Sequence, residues 1–371
     1  VLPERLAKLL VELDRQAVTS VEEEAIGSCL RNMERHGFGD FNSPEVADIV
    51  AGKHLADLKR MEVVRYTSEM EDREESIHRQ FKQLISDVAV HIEEDEFQNL
   101  CNLFASDRQH IMKLMDTLKW YTAGRNSRES DEPDPTVVMC LRLLTQIIWD
   151  QEDEEVRTKM QNTLIDMNAD QLLVALVCMR STTAVRLGLK LGVALFDGGN
   201  LYCQESLFTF LTTQPEGHAF FLAMRHRIKR GIEEIKQRRA FLRRQEELVK
   251  EYNENRDGMD PPQVEEYEET AFIWEVLRLL QLLCEGHNAK MQNLLRQQPE
   301  SSESVDLISA VVSYLFSLQR FLDSHNMINA IQALITLTDF VQGPCVANQA
   351  ALGASKLIFV INKMLEHRPK E

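Results

Sequence analysis

The chain has 371 residues and a formal net charge of −17. A phosphate backbone needs a positive surface, so nucleic acid is excluded as the main partner. The 15 glycines and 10 prolines are about 4% and 3% of residues, against ordinary use of about 7% and 5%, and a chain short of both breakers favours helix.

At about 150 residues per domain the length allows two or three units with a sizeable core. The chain opens at Val1 directly on an amphipathic pattern and reads as a piece of something larger. Leu2, Leu6, Leu9, Leu10 and Leu13 recur at helical spacing over 2–17. Ser20 followed by Glu23 forms a capping box before Ile26, Leu30 and Met33, and Gly37 is a stop. Ser43 with Pro44 starts a run of several helices to about Leu103. The loop composition of 124–135 places a boundary there, giving a first helical unit over 1–130.

The second unit, 131–258, has an apolar helix over 137–149, a helix over 169–179 capped by Asn168, and a helix over 182–196. Gly198, Gly199 and Asn200 end that helix and cap the next, from Leu201. One long helix covers 218–255 and is basic from Arg225 to Arg244. Its basic run has two readings, an anionic-partner or calmodulin-like contact and, favoured, a solvated face whose charges pair with Glu233 and Glu234. Pro261 and Pro262 close the unit.

The third unit, 259–371, opens with a helix from Tyr267 to Cys284, stopped by Gly286. Asn288 caps a short helix to Gln298. Helices follow at 305–323 and 327–342, the second closed by Gly343 and Pro344, and a last helix covers 348–366. Successive helices with tight turns predict an all-α chain, an irregular armadillo- or HEAT-like α-solenoid of antiparallel helix pairs without a clean sequence repeat. The most apolar stretch, 307–318, is shorter than the ~20 residues that span a bilayer, so it reads as a core helix and direct membrane insertion is not expected.

No catalytic constellation is legible. GxSxG, GxxxxGK[ST], HExxH, GxGxxG and an EF-hand loop are all missing, and the chain is not read as an enzyme. Cys29, Cys101, Cys140, Cys178, Cys203, Cys284 and Cys345 are scattered and odd in number, which fits reduced buried thiols and not disulfides or zinc. Two acids stand out. Glu285 precedes Gly286 and Asp339 lies in the last turn before Gly343, so both oppose a helix macrodipole by about 0.3–1 kcal/mol each at exposed sites. Asp339 shares a stripe with Ile328, Ile335 and Gln342, expected to be part of the core. Something positive should compensate the two acids: Arg, Lys or a metal ion.

Two stretches carry a resemblance. LRLLQLLCEGHNAKMQNLLR (277–296) and LTDFVQGPCVANQ (337–349) resemble the signatures of the homology-associated domain shared by inositol trisphosphate and ryanodine receptors. GVALFDGGNLYCQESLF (192–208) is similar to the helical domain that precedes it in that family. FFLAMRHRIKRGIEEIK (220–236) and the short connection at 324–326 resemble the inositol trisphosphate branch, while CEGHN is the ryanodine-type spelling. The resemblance implies a cytosolic segment of a homotetrameric calcium-release channel of the endoplasmic reticulum, in contact with other domains of the same channel. It implies a partial calcium site at Glu285 and Asp339, with His287 and Gln342 behind them, completed by another domain. Asp339 departs from the family's Glu by one methylene, which shortens its reach. The rival expectation is a free-standing helical-repeat adaptor for protein partners.

Overall fold

A computed structural model describes residues 94–123, 132–254, 265–299 and 303–366. The helices expected between residues 2 and 93, and Cys29 with them, lie outside the described residues, as do the expected boundaries near 130 and 258. Among the described residues the chain is all-α, with fourteen α-helices, one 3-10 turn and no strand. None of these helices is long and apolar enough to cross a membrane. Contacts divide the chain into two compact units, Val1–Met160 and Gln161–Glu371.

In the first unit α1 (Glu94–Ala105), α2 (Arg108–Ala123) and α3 (Pro135–Trp149) pack on one another. The start of α3 follows from its sequence. Asp134 Oδ1 accepts from the Val137 N–H at 3.1 Å and Pro135 opens the first turn, where its missing N–H is no loss. Leu114, Met115 and Leu118 of α2 face Leu141, Leu143 and Leu144 of α3 in a core that excludes solvent. A helix not anticipated from the sequence, α4 (Glu154–Asp166), straddles the division.

The second unit holds α5 (Ala169–Val177), α6 (Thr182–Phe196), α7 (Leu201–Thr213), α8 (Gly217–Glu254), α9 (Ile273–Cys284), α10 (Ala289–Arg296), α11 (Leu307–Leu318), α12 (Met327–Val341), α13 (Val346–Gly353) and α14 (Leu357–Glu366). The 3-10 turn Gln319–Phe321 extends α11. Helices stack at intervals of three: α6 on α9 on α12, α5 on α8 on α11 on α14, and α7 on α10 on α13. The expected helix pairs therefore resolve into layers of three helices, the armadillo arrangement. α9 lies between α6 and α12, so Leu277, Leu279, Leu280, Leu282 and Leu283 are all fully buried. That explains why its sequence is apolar on nearly every face. Each such leucine contributes roughly 1.5–3 kcal/mol by leaving water.

The layers share a device at their helix ends. Gln161 Nε2 donates to the carbonyls of Ala194 and Asp197 at 2.9 and 3.0 Å, at the end of α6. Gln204 Nε2 does the same for Leu282 and Glu285 at 2.8 and 3.0 Å, at the end of α9. Gln292 Nε2 does it for Asp339 and Gln342 at 2.7 and 2.8 Å, at the end of α12. The three glutamines are 1%, 1% and 0% exposed. Each satisfies carbonyls that the helix leaves without an internal partner. The residue that follows is glycine each time, Gly198, Gly286 and Gly343, at φ of 79°, 76° and 84°, a left-handed conformation that other residues resist. A short sequence repeat underlies this: GGN-x3-Q at 198–204 and GHN-x3-Q at 286–292.

Other expectations shift. The segment 267–272 is irregular, with Phe272 at φ of 51°, and not the start of α9, because Glu234 Oε1 holds it instead, accepting from the N–H groups of Thr270 and Ala271 at 2.8 and 3.0 Å. Asn168 adopts φ of 62° and makes no side-chain cap. The last helix is two, since the Ser355 hydroxyl donates to Leu352 O and accepts from Leu357 N–H, which closes α13 and opens α14. Cys178 is exposed, while Cys101, Cys140, Cys203, Cys284 and Cys345 are buried.

Replacing Gln204 or Gln292 by Leu leaves two buried carbonyls without a donor. Each substitution is expected to destabilise the second unit by about 1–3 kcal/mol, read from the urea midpoint of the chain. In the first unit, burial holds His110 below its ordinary value of 6.5. Its Nδ1 lies 3.3 Å from Leu103 O and its Nε2 is buried without a partner. A depressed histidine binds protons more readily when unfolded, so its stability contribution is complete above 6.5 and is lost as pH falls below it. His110→Phe is expected to flatten the pH dependence of the first unit's unfolding between pH 7 and 5, followed by circular dichroism melts.

Candidate functional site

Glu285 and Asp339 come from adjacent layers, at the ends of α9 and α12. Their charges act on one another: Asp339 is among the groups that push Glu285 up. Burial is the largest cause of a raised Glu285 pKa, and Asp339 and Asp197 add to it against the opposing field of Arg278. Asp339 is raised as well, again by burial first, with the Gln281 hydrogen bond, Arg278 and His287 opposing. Glu285 Oε2 is buried and has no hydrogen-bond partner. An ionised oxygen left so is costly and calls for a cation or a proton.

The nearest cation is engaged elsewhere. Arg278 Nη2 bridges Asp197 Oδ1 at 3.1 Å, and Nη1 donates to Gln281 Oε1 at 2.9 Å. Gln281 also accepts from Gln332 Nε2 at 2.8 Å and bonds the Asp339 carboxylate, tying α9 to α12. Thr336 completes that tie, donating to Leu277 O at 2.9 Å.

The layers permit an internal comparison. Asp197, Glu285 and Gln342 occupy one register, each just before the turn glycine and each with its carbonyl held by a buried glutamine. In the first step Asp197 at the end of α6 meets Arg278 of α9. The matching position of α12, seven residues before Gln342, is Ile335. Glu285 therefore has no arginine of its own. The register position that holds Ala194 in α6 and Leu282 in α9 holds Asp339 in α12. A cation has been removed from this step and a carboxylate added.

The expected supporting residues lie in the turns. His287 adopts φ of 62° and stacks on the following turn so closely that a Cβ at Gly343 would be 3.1 Å from its Cβ. Its field lowers Asp339. Gln342 is exposed, and it is its backbone carbonyl that Gln292 holds. Gly199 likewise packs against the Glu285 side chain, where a Cβ would meet Cγ at 3.0 Å. Sequence reasoning missed Asp197, Arg278, Gln281 and the clamping glutamines. The repeated GxN-x3-Q spacing was the signal that would have found Gln204 and Gln292.

One expectation is overturned. The stripe beside Asp339 is not core: Ile328, Ile331 and Ile335 are 56%, 51% and 42% exposed. The buried face of α12 is Ala330, Ala333, Leu337 and Phe340, which lie against α9 and α11. Among the described residues no group of three or more His, Cys, Asp or Glu is arranged to hold a metal ion. Two carboxylates are too few for calcium, which takes six to eight oxygens, but they suit part of such a shell.

A family profile described as RyR and IP3R Homology associated matches residues 267–365. The span includes Glu285, His287, Asp339 and Gln342 and excludes Asp197. The inositol 1,4,5-trisphosphate receptor itr-1 of Caenorhabditis elegans is 42% identical over 91 residues, which are 22% of this chain and 3% of that receptor. The chain thus matches a small part of the length of that relative. Together these findings support a segment of the inositol trisphosphate/ryanodine receptor family over residues 267–365.

Carboxylates raised on folding bind protons more readily in the native state. Their effect on stability is then most favourable at acid pH and declines as pH rises from the unfolded range through the folded value. Glu285→Gln is expected to raise the melting temperature of the chain by about 1–3 °C at pH 7.5 and not at pH 4.5, by differential scanning calorimetry without divalent ions.

Proposed function

We propose that this chain, with its segment of the inositol trisphosphate/ryanodine receptor family, is a cytosolic regulatory and coupling segment of a calcium-release channel of the endoplasmic reticulum. It contributes Glu285 and Asp339 to a calcium-sensing site completed by another domain of the same homotetrameric channel. The observation that carries this reading is the buried, unpartnered Glu285 Oε2 beside Asp339, at the one layer step where an isoleucine stands in the register of Arg278. The same acids drew attention in the sequence, because helix C-termini disfavour them.

The chemistry follows from the donor set. Calcium is a hard cation and takes oxygens, and carboxylates in a half-buried site hold it better than in open water. It supplies here only positive charge and coordination. Gln281 holds the Asp339 carboxylate by one hydrogen bond and Arg278 keeps a weak positive field on both acids. Gln204 and Gln292 fix the helix ends from which the two side chains leave. Since this chain offers two carboxylates, the remaining oxygens come from water and the partner domain. A shared site binds the ion tightly only when the domains approach, so calcium favours that arrangement by its differential affinity.

The test is single-channel open probability against cytosolic calcium in the full-length parent. Glu285→Gln and Asp339→Asn are each expected to move calcium activation to higher concentration by about tenfold, the equivalent of about 1.4 kcal/mol, with inositol trisphosphate binding preserved. Asp339→Glu, which restores the family's residue, is expected to keep activation or sharpen it. Unchanged calcium dependence in a folded, ligand-responsive channel would make the two acids structural and this segment a relay without a sensor.

A further inference from the structure

A second cluster of charge lies at the opposite end of α12. A cavity of about 260 Å3 opens between α8, the 265–272 segment and the turn that joins α11 to α12. We propose that this cavity binds a small phosphate-type polyanion through Arg239 and Arg320.

Each acid around the cavity already has its partner. Asp323 Oδ2 is 2.7 Å from Arg238 Nη1, and its Oδ1 accepts from the N–H groups of His325 and Asn326 at 3.0 and 2.9 Å. Burial alone would raise Asp323, but the Arg238 bond and these backbone donors outweigh it and hold it below the ordinary carboxylate range. Glu269 Oε1 lies 2.9 Å from His325 Nε2. Glu234 is buried and accepts from Thr270 Oγ1 at 2.6 Å, with Arg230 at 3.7 Å. Among the described residues, two arginines have no carboxylate partner. Arg239 and Arg320 line the cavity and each rests on an aromatic ring: Arg239 over Phe321 at 4.6 Å, Arg320 over Phe316 at 5.8 Å.

Those ring contacts decide between a solvated charge and a ligand site. An arginine free in water samples many rotamers, whereas one lying on an aromatic face has lost part of that freedom before any ligand arrives. Two arginines lining one cavity, Arg239 held on a ring of its wall and Arg320 on Phe316 outside it, suit an anion with more than one charged oxygen, which arginine binds through paired N–H donors. The volume favours a small anion, since it falls below the roughly 300–1,000 Å3 of pockets for drug-sized ligands.

The experiment titrates sodium pyrophosphate into the 371-residue chain by isothermal calorimetry, without divalent ions and at constant ionic strength. Saturable one-site binding is expected, weakened at least tenfold by Arg239→Gln or Arg320→Gln and unchanged by Lys229→Gln, an exposed cation of α8 outside the cavity. Both arginines are exposed, and an unchanged circular dichroism melt checks that the variants fold. ATP titrated in parallel identifies the source: a gain over pyrophosphate assigns the aromatic wall to a nucleotide base, and equal affinity assigns the site to the anion alone. No saturable binding, or equal weakening by Lys229→Gln, overturns the proposal, because diffuse attraction then accounts for the arginines.

Discussion

The second unit depends on how its helix ends are closed. A stack of helices buries the last carbonyls of each inner helix against the next layer, where water cannot reach them, and an unmet buried carbonyl costs about as much as a lost hydrogen bond. Gln161, Gln204 and Gln292 meet that need with one side chain per layer, each amide serving two carbonyls. The clamp is itself held. Asn200 Nδ2 donates to Gln161 Oε1 and Asn288 Nδ2 donates to Gln204 Oε1, both at 2.9 Å. In the last layer Asn348 reaches the backbone carbonyls of Gln292 and Phe340 at 2.8 and 2.9 Å while Arg296 holds its oxygen at 2.7 Å, and Gln292 Oε1 stays buried without a partner. The two-carbonyl clamps fix register as well as stability, because a sliding layer would break every bond at once. The candidate acids inherit their positions from the same clamps, being attached to the carbonyls that the glutamines hold.

Much of this was legible in the sequence, and the rest was not, for physical reasons. α6 was readable to the residue because Ser181 caps it and a glycine pair ends it. α9 was readable as apolar, but its start was not. Tyr267 to Phe272 carry no turn residue, and what keeps them out of the helix is Glu234, distant in sequence, accepting from their backbone. The layer of three was hidden because α4 and α7 have weak apolar patterns, although α10 is amphipathic and buries Met291, Leu294 and Leu295. Glu285 and Asp339 could be singled out from local rules about helix ends. That they share one field, and that Arg278 is diverted to Asp197, depends on which layers touch, and one chain's spacing does not encode that. The stripe of Ile328, Ile335 and Gln342 looked like core because helical spacing gives the same pattern for any apolar face, whether another helix covers it or not.

The two proposed sites are related through α12. The helix has fifteen residues, about 22 Å in length at 1.5 Å per residue. Its first turn, from Asn326, lines the cavity with Arg239 and Arg320, and its last turn carries Asp339 beside Glu285. An α-helix presents partial positive charge at its start and partial negative charge at its end. An anion at the first turn and a cation at the last are the two ligands that this dipole favours, and each is placed where the chain has left charge of the opposite sign unpaired. The same helix makes the broad contact with α9 and a second one with α11, so a displacement of α12 that improved one site would be felt at the other. Any such coupling is reciprocal by thermodynamic necessity: an anion that tightened calcium binding would itself be held more tightly in calcium, by the same factor.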